Sequence, residues 1–329
     1  MAELRWHPLI KDWVMVASHR QNRPQMPKNW CPFCKGSEKV PKDYIVMKYD
    51  NDFPALSQNP PIPDNVATDL YKTAPLYGKC EVILYSSDHH ATLPELDDLH
   101  LNELVKLWKQ RFIEISSDKL IKYVFIFENR GEAVGVTMPH PHGQIYGYPF
   151  IPKKLELELQ SCKEHADNTG RCLICDMNGE EISFAQRVIF QNDSFIVYLP
   201  FFTEYPYGIY ISSKRHIQYI TQFTEKESSD FAKTLKIAAG TLDSLFGFTF
   251  PYMMCMHQAP VNTGEHYDYY HFHVEFFPPM RARDKIKYNA SSETGAWAHC
   301  NPTSVEEKAE ELRAAYRRFV TGKGNTKGE

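Results

Sequence analysis

Two stretches of the chain carry apolar residues at three- and four-residue steps, which is the spacing of one face of an α-helix. In the first stretch these residues are Leu104, Leu107, Trp108, Phe112 and Ile115, and in the second they are Phe231, Leu235, Ala238, Leu242 and Leu245. Each stretch therefore predicts an amphipathic helix with its apolar side on a core. Thr224 with Glu227, and Ser304 with Glu307, have capping-box spacing and predict where the second helix and a C-terminal helix begin.

Short runs of β-branched and aromatic residues flank both helical stretches, and such runs predict strands. The runs are residues 81–85, 123–127, 144–148, 208–212 and 271–277. Strands grouped around one long helix in each half predict an α+β fold, in which an antiparallel sheet packs against one long helix twice over. The Gly- and Lys-rich residues 321–329 predict a disordered tail.

The two halves repeat one order of cysteines and histidines. The N-terminal series is Cys31, Cys34, His89, His140 and His142, and the C-terminal series is Cys172, Cys175, His216, His271 and His273. In each series a CxxC pair comes first, a single histidine follows an apolar run, and an HxH pair comes last. Two such series in the same order predict a tandem repeat, with residues 1–165 as the N-terminal repeat and residues 166–329 as the C-terminal repeat.

Two cysteines and two histidines form the ligand set of a tetrahedral structural zinc site. We expect one Zn²⁺ on Cys31, Cys34, His89 and His140, and a second Zn²⁺ on Cys172, Cys175, His216 and His271. A redox-active CxxC, or buried thiols beside unrelated histidines, is the alternative, and duplication of the whole series favours zinc. The other four cysteines lack this spacing, and we expect no metal role for them; they are Cys80, Cys162, Cys255 and Cys300.

Composition narrows the functional class without identifying it. The 329 residues are 43% hydrophobic and carry a net charge of −4, which allows sizeable cores and gives no electrostatic case for a nucleic-acid partner. The first residues lack the apolar core of a signal peptide, and no run is long enough to span a bilayer. We therefore expect a cytoplasmic protein without a membrane partner, in which paired cysteines indicate metal or redox chemistry.

His142 is the candidate nucleophile. Alternate residues of a strand point to one face, so we expect His140, His142 and Gln144 on the same side. A metal that holds His140 would fix the strand entrance and aim His142 at a neighbouring ligand, and Gly143 would let that ligand approach the backbone. A neutral imidazole can attack phosphorus and pass the group onward. A polar histidine that merely lies beside a metal site is the alternative that these residues leave open.

Residues 127–144, FENRGEAVGVTMPHPHGQ, resemble the active-site signature of the galactose-1-phosphate uridylyltransferases, a tandem-repeat branch of the histidine-triad superfamily. Similar segments extend over most of the chain, at residues 5–14, 18–24, 51–56, 87–96, 271–279 and 287–293. The resemblance implies two histidine-triad-like repeats and a ping-pong reaction of the Leloir pathway. UMP would pass from UDP-glucose to galactose 1-phosphate through a uridylyl group on His142.

The resemblance also implies roles for other residues. Gln144 would hydrogen-bond the phosphoryl oxygens; histidine-triad hydrolases have a third histidine here, so the amide fits a transferase whose leaving phosphate is already a good anion. The implied substrate contacts are Asn51, Asp52 and Phe53 for uracil and ribose, Arg20 and Arg23 for phosphate, Asn129 and Thr137 in the phosphate loop, and Lys287 and Glu293 for the sugar. A homodimer is implied as well, in which the C-terminal half completes the partner's active site.

Two departures from the family pattern leave alternatives open. Some members bind a second metal through a glutamate and three histidines, and Glu158, His257, His271 and His273 stand at the matching positions. Because His271 cannot easily serve two sets, we prefer the cysteine set with zinc.

Ser292 and residues 294–299 differ from the usual sugar-binding pattern, so a related nucleotidylyltransferase such as an ADP-glucose phosphorylase is the second functional hypothesis. A histidine-triad hydrolase is disfavoured by Gln144. A zinc-stabilised binding module without activity is disfavoured because both the nucleophile and the phosphate loop are present.

Overall fold

The computed structural model describes residues 2–22 and 30–322. Arg23, one of the predicted phosphate contacts, and residues 323–329 of the predicted tail lie outside the described residues. Within the described ranges there are fourteen strands and six α-helices. The strands are β1 Ala2–His7, β2 Asp12–Ala17, β3 Met47–Asp50, β4 Thr73–Pro75, β5 Lys79–Leu84, β6 Tyr123–Arg130, β7 His142–Tyr148, β8 Val188–Gln191, β9 Phe195–Tyr198, β10 Tyr210–Ser213, β11 Tyr252–His257, β12 His273–Phe277, β13 Met280–Ala282 and β14 Lys285–Ile286. The helices are α1 Asp98–Ser116, α2 Lys153–Thr169, α3 Leu173–Phe184, α4 Glu225–Phe246, α5 Ser291–Ala296 and α6 Val305–Val320.

Nine strands form one antiparallel sheet, in the order β3-β5-β7-β6-β11-β12-β10-β9-β8. The order is nearly palindromic about the contact between β6 and β11: β7 corresponds to β12, and β5 corresponds to β10. At this contact Arg130 pairs with Tyr252, and Ile126 pairs with Met256. The two expected half-sheets are therefore joined side by side into a single sheet. A separate three-stranded sheet has the order β2-β1-β4.

The long helices α1 and α4 pack on one face of the large sheet. Trp108 of α1 and Phe231 of α4 are fully buried in a shared core with residues of β6, β7, β9 and β12. Thr224 and Glu227 form the predicted capping box at the start of α4, with a 3.2 Å hydrogen bond from the Glu227 amide to Thr224 Oγ1. At α6 the Glu307 amide donates to Ser304 Oγ, which makes the first half of the second predicted box.

The predicted α+β class, both long helices and all five predicted strands are confirmed. Two strand starts are wrong by two residues: β10 begins at Tyr210 and β12 begins at His273. The Phe272 amide donates to the carbonyl of Ile217, outside the ladder between strands, so His271 lies in a loop that precedes β12. The repeat boundary at residues 165 and 166 stays a prediction, and helix α2 runs across it.

Candidate active site and metal clusters

The N-terminal cluster brings together the four predicted ligands Cys31, Cys34, His89 and His140. His140 is fully buried, and its Nε2–H donates to the carbonyl of Ser86 at 2.8 Å. The lone pair of Nδ1 consequently faces the sulfur atoms of Cys31 and Cys34, at 3.7 and 3.8 Å. Burial lowers the pKa of His140 to about 4, so the ring is neutral near pH 7 and suited to hold a metal.

The C-terminal cluster repeats this arrangement with Cys172, Cys175, His216 and His271. The Nε2–H of His271 donates to the carbonyl of Ser213 at 2.8 Å, and Nδ1 lies 3.6 and 3.3 Å from the sulfur atoms of Cys172 and Cys175. Since the backbone carbonyl fixes the tautomer in both halves, each cluster presents two thiols and histidine Nδ1 atoms to one point. Both sets fit a tetrahedral zinc ion by ligand type.

A third group, the carboxylate cluster, consists of Glu158, His257, His273 and Glu275. Glu158 Oε2 lies 2.9 Å from Nδ1 of His257, and Glu275 Oε1 lies 3.7 Å from Nε2 of His273. Glu275 takes the place that the sequence comparison gave to His271, so the cysteine set and the glutamate set do not compete for that histidine. Two carboxylates and two imidazoles are a donor set that fits a divalent transition metal.

His142 is the first residue of β7, and it is tethered to the histidine two positions earlier. Its Nδ1 lies 2.8 Å from the carbonyl oxygen of His140. Because a carbonyl can only accept, Nδ1 carries the ring proton and Nε2 carries the lone pair. The expectation that His140 lies in the strand is wrong, because β7 begins at His142; both histidines line the loop chamber, and Nδ1 of His140 faces Cys31.

Two chambers meet at His142. The aromatic chamber, of about 80 Å³, contains the predicted Asn51, Asp52 and Phe53 together with His142 and Gln144. The loop chamber, of about 220 Å³, contains the predicted Asn129 and Thr137 together with His142. Met138 and His142 line both chambers. The arrangement suits a ligand whose two ends lie on either side of an atom at His142.

The side chains around Gln144 orient its amide. The hydroxyl of Tyr146 donates to Gln144 Oε1 at 3.2 Å, which directs the amide nitrogen toward other acceptors. Burial raises the pKa of Tyr146 to about 12, while the nearby guanidinium of Arg20 acts to lower it. The predicted phosphate contact Arg20 therefore lies beside the strand that carries His142 and Gln144.

The predicted sugar contacts lie close to each other: Nζ of Lys287 is 4.0 Å from Oε1 of Glu293. The Lys287 ammonium also lies over the ring of Tyr205, 5.0 Å from its centroid. Among the residues that the structure describes, the linings of the aromatic and loop chambers include neither Lys287 nor Glu293. The predicted sugar contacts therefore lie outside the two chambers that meet at His142.

Sequence reasoning missed three residues at these sites. Tyr49 and Lys39 both bind the carboxylate of Asp52, at 2.9 and 2.6 Å. No motif marks them, because their link to Asp52 depends on how the loop after Cys34 folds. Glu275 could have been found, since it stands two residues after His273 as Gln144 stands two residues after His142.

In the part of the chain that the structure describes, we find no helix with the length and apolar character that crossing a membrane requires. Family models for the N-terminal and C-terminal domains of galactose-1-phosphate uridyl transferase match residues 1–152 and 158–287. The galactose-1-phosphate uridylyltransferase of Thermotoga maritima is 40% identical over 95% of this chain and 98% of its own length.

Comparison with solved structures shows a similar fold in two related enzymes. A uridylyltransferase structure superposes with a TM-score of 0.88 at 30% identity, over 96% of this chain and 99% of the other. An ADP-glucose phosphorylase from Arabidopsis thaliana superposes with a TM-score of 0.74 at 24% identity, over 95% of this chain and 99% of the other, and shares the fold.

Proposed function

Because the chain belongs to the galactose-1-phosphate uridylyltransferase family, we propose that it transfers UMP from UDP-glucose to galactose 1-phosphate through a covalent uridylyl-histidine on His142. The observation that carries the proposal is the position of His142, tethered through Nδ1 and lining both chambers. Uracil and ribose would occupy the aromatic chamber, and the departing or arriving hexose phosphate would occupy the loop chamber.

The reaction has two symmetrical steps. Nε2 of His142 attacks the α-phosphorus of UDP-glucose, a P–N bond forms, the bond to the bridging oxygen breaks, and glucose 1-phosphate leaves. An oxygen of galactose 1-phosphate then attacks the same phosphorus, the P–N bond breaks, and UDP-galactose leaves. A sugar phosphate with a second pKa near ~6 departs as an anion without a proton donor, and for this reason an amide at Gln144 suffices.

Gln144 and Arg20 would bind the phosphoryl oxygens during both steps. The hydroxyl of Tyr146 occupies the amide oxygen of Gln144, so the amide N–H groups are the ones that can donate to phosphoryl oxygens. Donors fixed before the substrate arrives stabilise the developing charge without reorganisation.

We further propose that the N-terminal and C-terminal clusters each hold a structural Zn²⁺ and that the carboxylate cluster holds a third divalent cation. The ligand types and the fixed tautomers of His140 and His271 support zinc at the first two. A bound zinc would cross-link the CxxC turn to the segment before β7. The chain's own contribution is to hold the backbone of His140, and through its carbonyl the ring of His142.

A homodimer in the cytoplasm is part of the proposal. Lys287 and Glu293 lie outside both chambers, which supports a role for them in a partner's active site. In a reducing compartment the cysteine pairs remain thiols, the form that a metal requires.

A labelling experiment tests the proposed function. The protein is incubated with UDP-glucose that is radiolabelled in uracil, denatured, and analysed for label that stays bound. We expect one label per wild-type chain, release by galactose 1-phosphate, and none in His142→Asn. Label from ADP-glucose instead, with release by inorganic phosphate, would favour the phosphorylase hypothesis, and no label from either sugar would contradict both.

A further inference from the structure

Tyr85 holds the segment that carries the nucleophile from two sides. Its backbone amide donates to the carbonyl of Pro141 at 2.9 Å. Its side chain lies against Gly143, so that a Cβ added to Gly143 would lie 2.3 Å from the Tyr85 hydroxyl. Residue 143 must therefore be glycine as long as the hydroxyl occupies this position. His142 stands between the two contacts.

The rest of Tyr85 is immobilised. The side chain is 1% exposed, and its ring meets Trp108 edge to face at 5.8 Å between centroids. Nε2–H of His100 donates to its carbonyl at 2.6 Å. Only the hydroxyl depends on a polar neighbour for its orientation.

That neighbour is Glu128 of β6. Glu128 is 5% exposed, and the hydroxyl of Tyr252 donates to its Oε1 at 3.1 Å. Within the described residues, Oε2 of Glu128 and the hydroxyl of Tyr85 are buried and make no hydrogen bond, and both side chains line the loop chamber beside His142. They lie close enough that the Glu128 carboxyl, after burial itself, raises the pKa of Tyr85.

Arg130 acts to lower the pKa of Glu128, but the hydrogen bonds of its guanidinium go to another carboxylate. Arg130 is engaged by Asp243 through two hydrogen bonds of 3.0 and 2.8 Å. Burial raises the pKa of Glu128 to about 7. Keeping a carboxyl in an apolar core is costly, and an apolar side chain of similar size would fill the same space at lower cost.

We propose that Tyr85 and Glu128 are positioning residues for His142: the buried carboxyl orients the Tyr85 hydroxyl, and the hydroxyl supports the backbone of Gly143 from behind the nucleophile. Both side chains also form part of the wall of the loop chamber, where each is at most 5% exposed, and the pair acts on His142 through the strand entrance. Its importance follows from the sensitivity of group transfer to geometry, since a displacement of about 1 Å can cost about 100-fold in rate. This inference rests on the proposed function of His142.

The test measures the single-turnover rate at which uridylyl from UDP-glucose loads onto the full-length, metal-replete protein. Tyr85→Phe removes the hydroxyl, and Glu128→Leu removes its partner. Glu128→Gln keeps a side chain that can hydrogen-bond Tyr85. Tyr252→Phe is the matched control, since it removes the bond to the other carboxyl oxygen without touching the strand of His142.

We expect Tyr85→Phe and Glu128→Leu to load at least ~10-fold more slowly, with the half-saturating UDP-glucose concentration changed less than ~3-fold. Glu128→Gln should recover most of the rate, and Tyr252→Phe should stay within ~3-fold of wild type. If Glu128→Leu does not fold, Tyr85→Phe decides alone. Wild-type loading with unchanged rates in Tyr85→Phe, or equal slowing by Tyr252→Phe, would overturn the positioning role. Failure of the wild type to load would instead overturn the proposed function.

Discussion

His142 and His273 are held in the same way in the two halves of the molecule, with Nδ1 on the carbonyl oxygen of the histidine two residues earlier, at 2.8 and 3.0 Å. The residue two positions later differs. Gln144 follows His142, whereas Glu275 follows His273 and lies 3.7 Å from its Nε2. The same scaffold thus presents an amide donor in one half and a carboxylate in the other. An amide N–H attracts phosphoryl oxygens, whereas a carboxylate repels them.

Gln144→Glu should therefore place a carboxylate beside His142, as Glu275 places one beside His273. A carboxylate next to the phosphoryl oxygens adds repulsion to the loss of donors, so we expect loading of His142 to slow by about 100-fold or more. Gln144→Met removes the donors alone and should slow loading less than Gln144→Glu does. Single-turnover labelling with UDP-glucose measures both variants. Equal rates for the two would show that charge at this position is unimportant.

The two cysteine clusters should differ in their effect on activity. Each of the two variants Cys31→Ser and Cys172→Ser is expected to lose one zinc equivalent per chain. This loss is about half of the zinc that the two cysteine clusters hold. Only Cys31→Ser should also abolish most labelling, because His140 of its cluster holds the ring of His142 through its carbonyl. Metal analysis and labelling of the same preparations check this.

Glu158→Gln serves as the control for the metal measurements, since it alters the carboxylate cluster and leaves both cysteine sets intact. Its zinc at the cysteine clusters should equal that of the wild type. Unchanged zinc content in Cys172→Ser would contradict the C-terminal site.

Sugar contacts supplied by a partner can be detected by mixing two inactive proteins. His142→Asn lacks the nucleophile, and Glu293→Ala lacks the proposed sugar contact. Random exchange of subunits in a dimer puts half of the molecules in mixed pairs with one intact site each, so about a quarter of wild-type activity should return. Each variant mixed with itself is the control. No recovery after demonstrated exchange would mean that each chain completes its own site.

Acid stability should depend on Glu227, the capping residue of α4. Arg215 binds its carboxylate at 2.7 Å and lowers its pKa to about 2, from an ordinary value of 4.5. Because the folded-state pKa is lowered, the contribution to stability is complete above about pH 4.5 and disappears as the pH falls to about 2. Glu227→Gln should lower the free energy of unfolding by about 1 kcal/mol at pH 7, and the difference from wild type should vanish near pH 2.

Glu225→Gln is the matched control for this effect, since Glu225 lies in the same first turn and is exposed. Denaturant unfolding of the three proteins at pH 7, 4 and 2.5 tests the pH window. A constant difference between Glu227→Gln and wild type over this range would contradict it.

The elements that the sequence predicted are those with local signals. The three- and four-residue apolar spacing located α1 and α4, and Thr224 with Glu227 located the start of α4 to the residue. The CxxC and HxH pairs identified both cysteine clusters, because each ligand type and its order repeat in the chain.

Features that depend on distant contacts were not predictable from the sequence. Family resemblance gave Glu158, His257 and His273 of the carboxylate cluster, but no local spacing in the chain itself links a residue of α2 to residues of β11 and β12. The environment of the buried Glu128 carboxyl is another such feature, because Tyr85 and Tyr252, the tyrosines that surround it, belong to two other segments of the chain. The pairing of β6 with β11 has no sequence signature either, because any strand edge offers the same backbone groups.

Because β6 pairs with β11, we do not expect either half to fold stably by itself. If residues 1–165 were produced alone, β6 would present a long unpaired edge next to apolar side chains that β11 normally covers. Such an edge recruits other strands, and self-association is the expected fate of either fragment. The sheet around His142 is therefore completed in part by the other half, in which a carboxylate, Glu275, lies beside the corresponding histidine, His273.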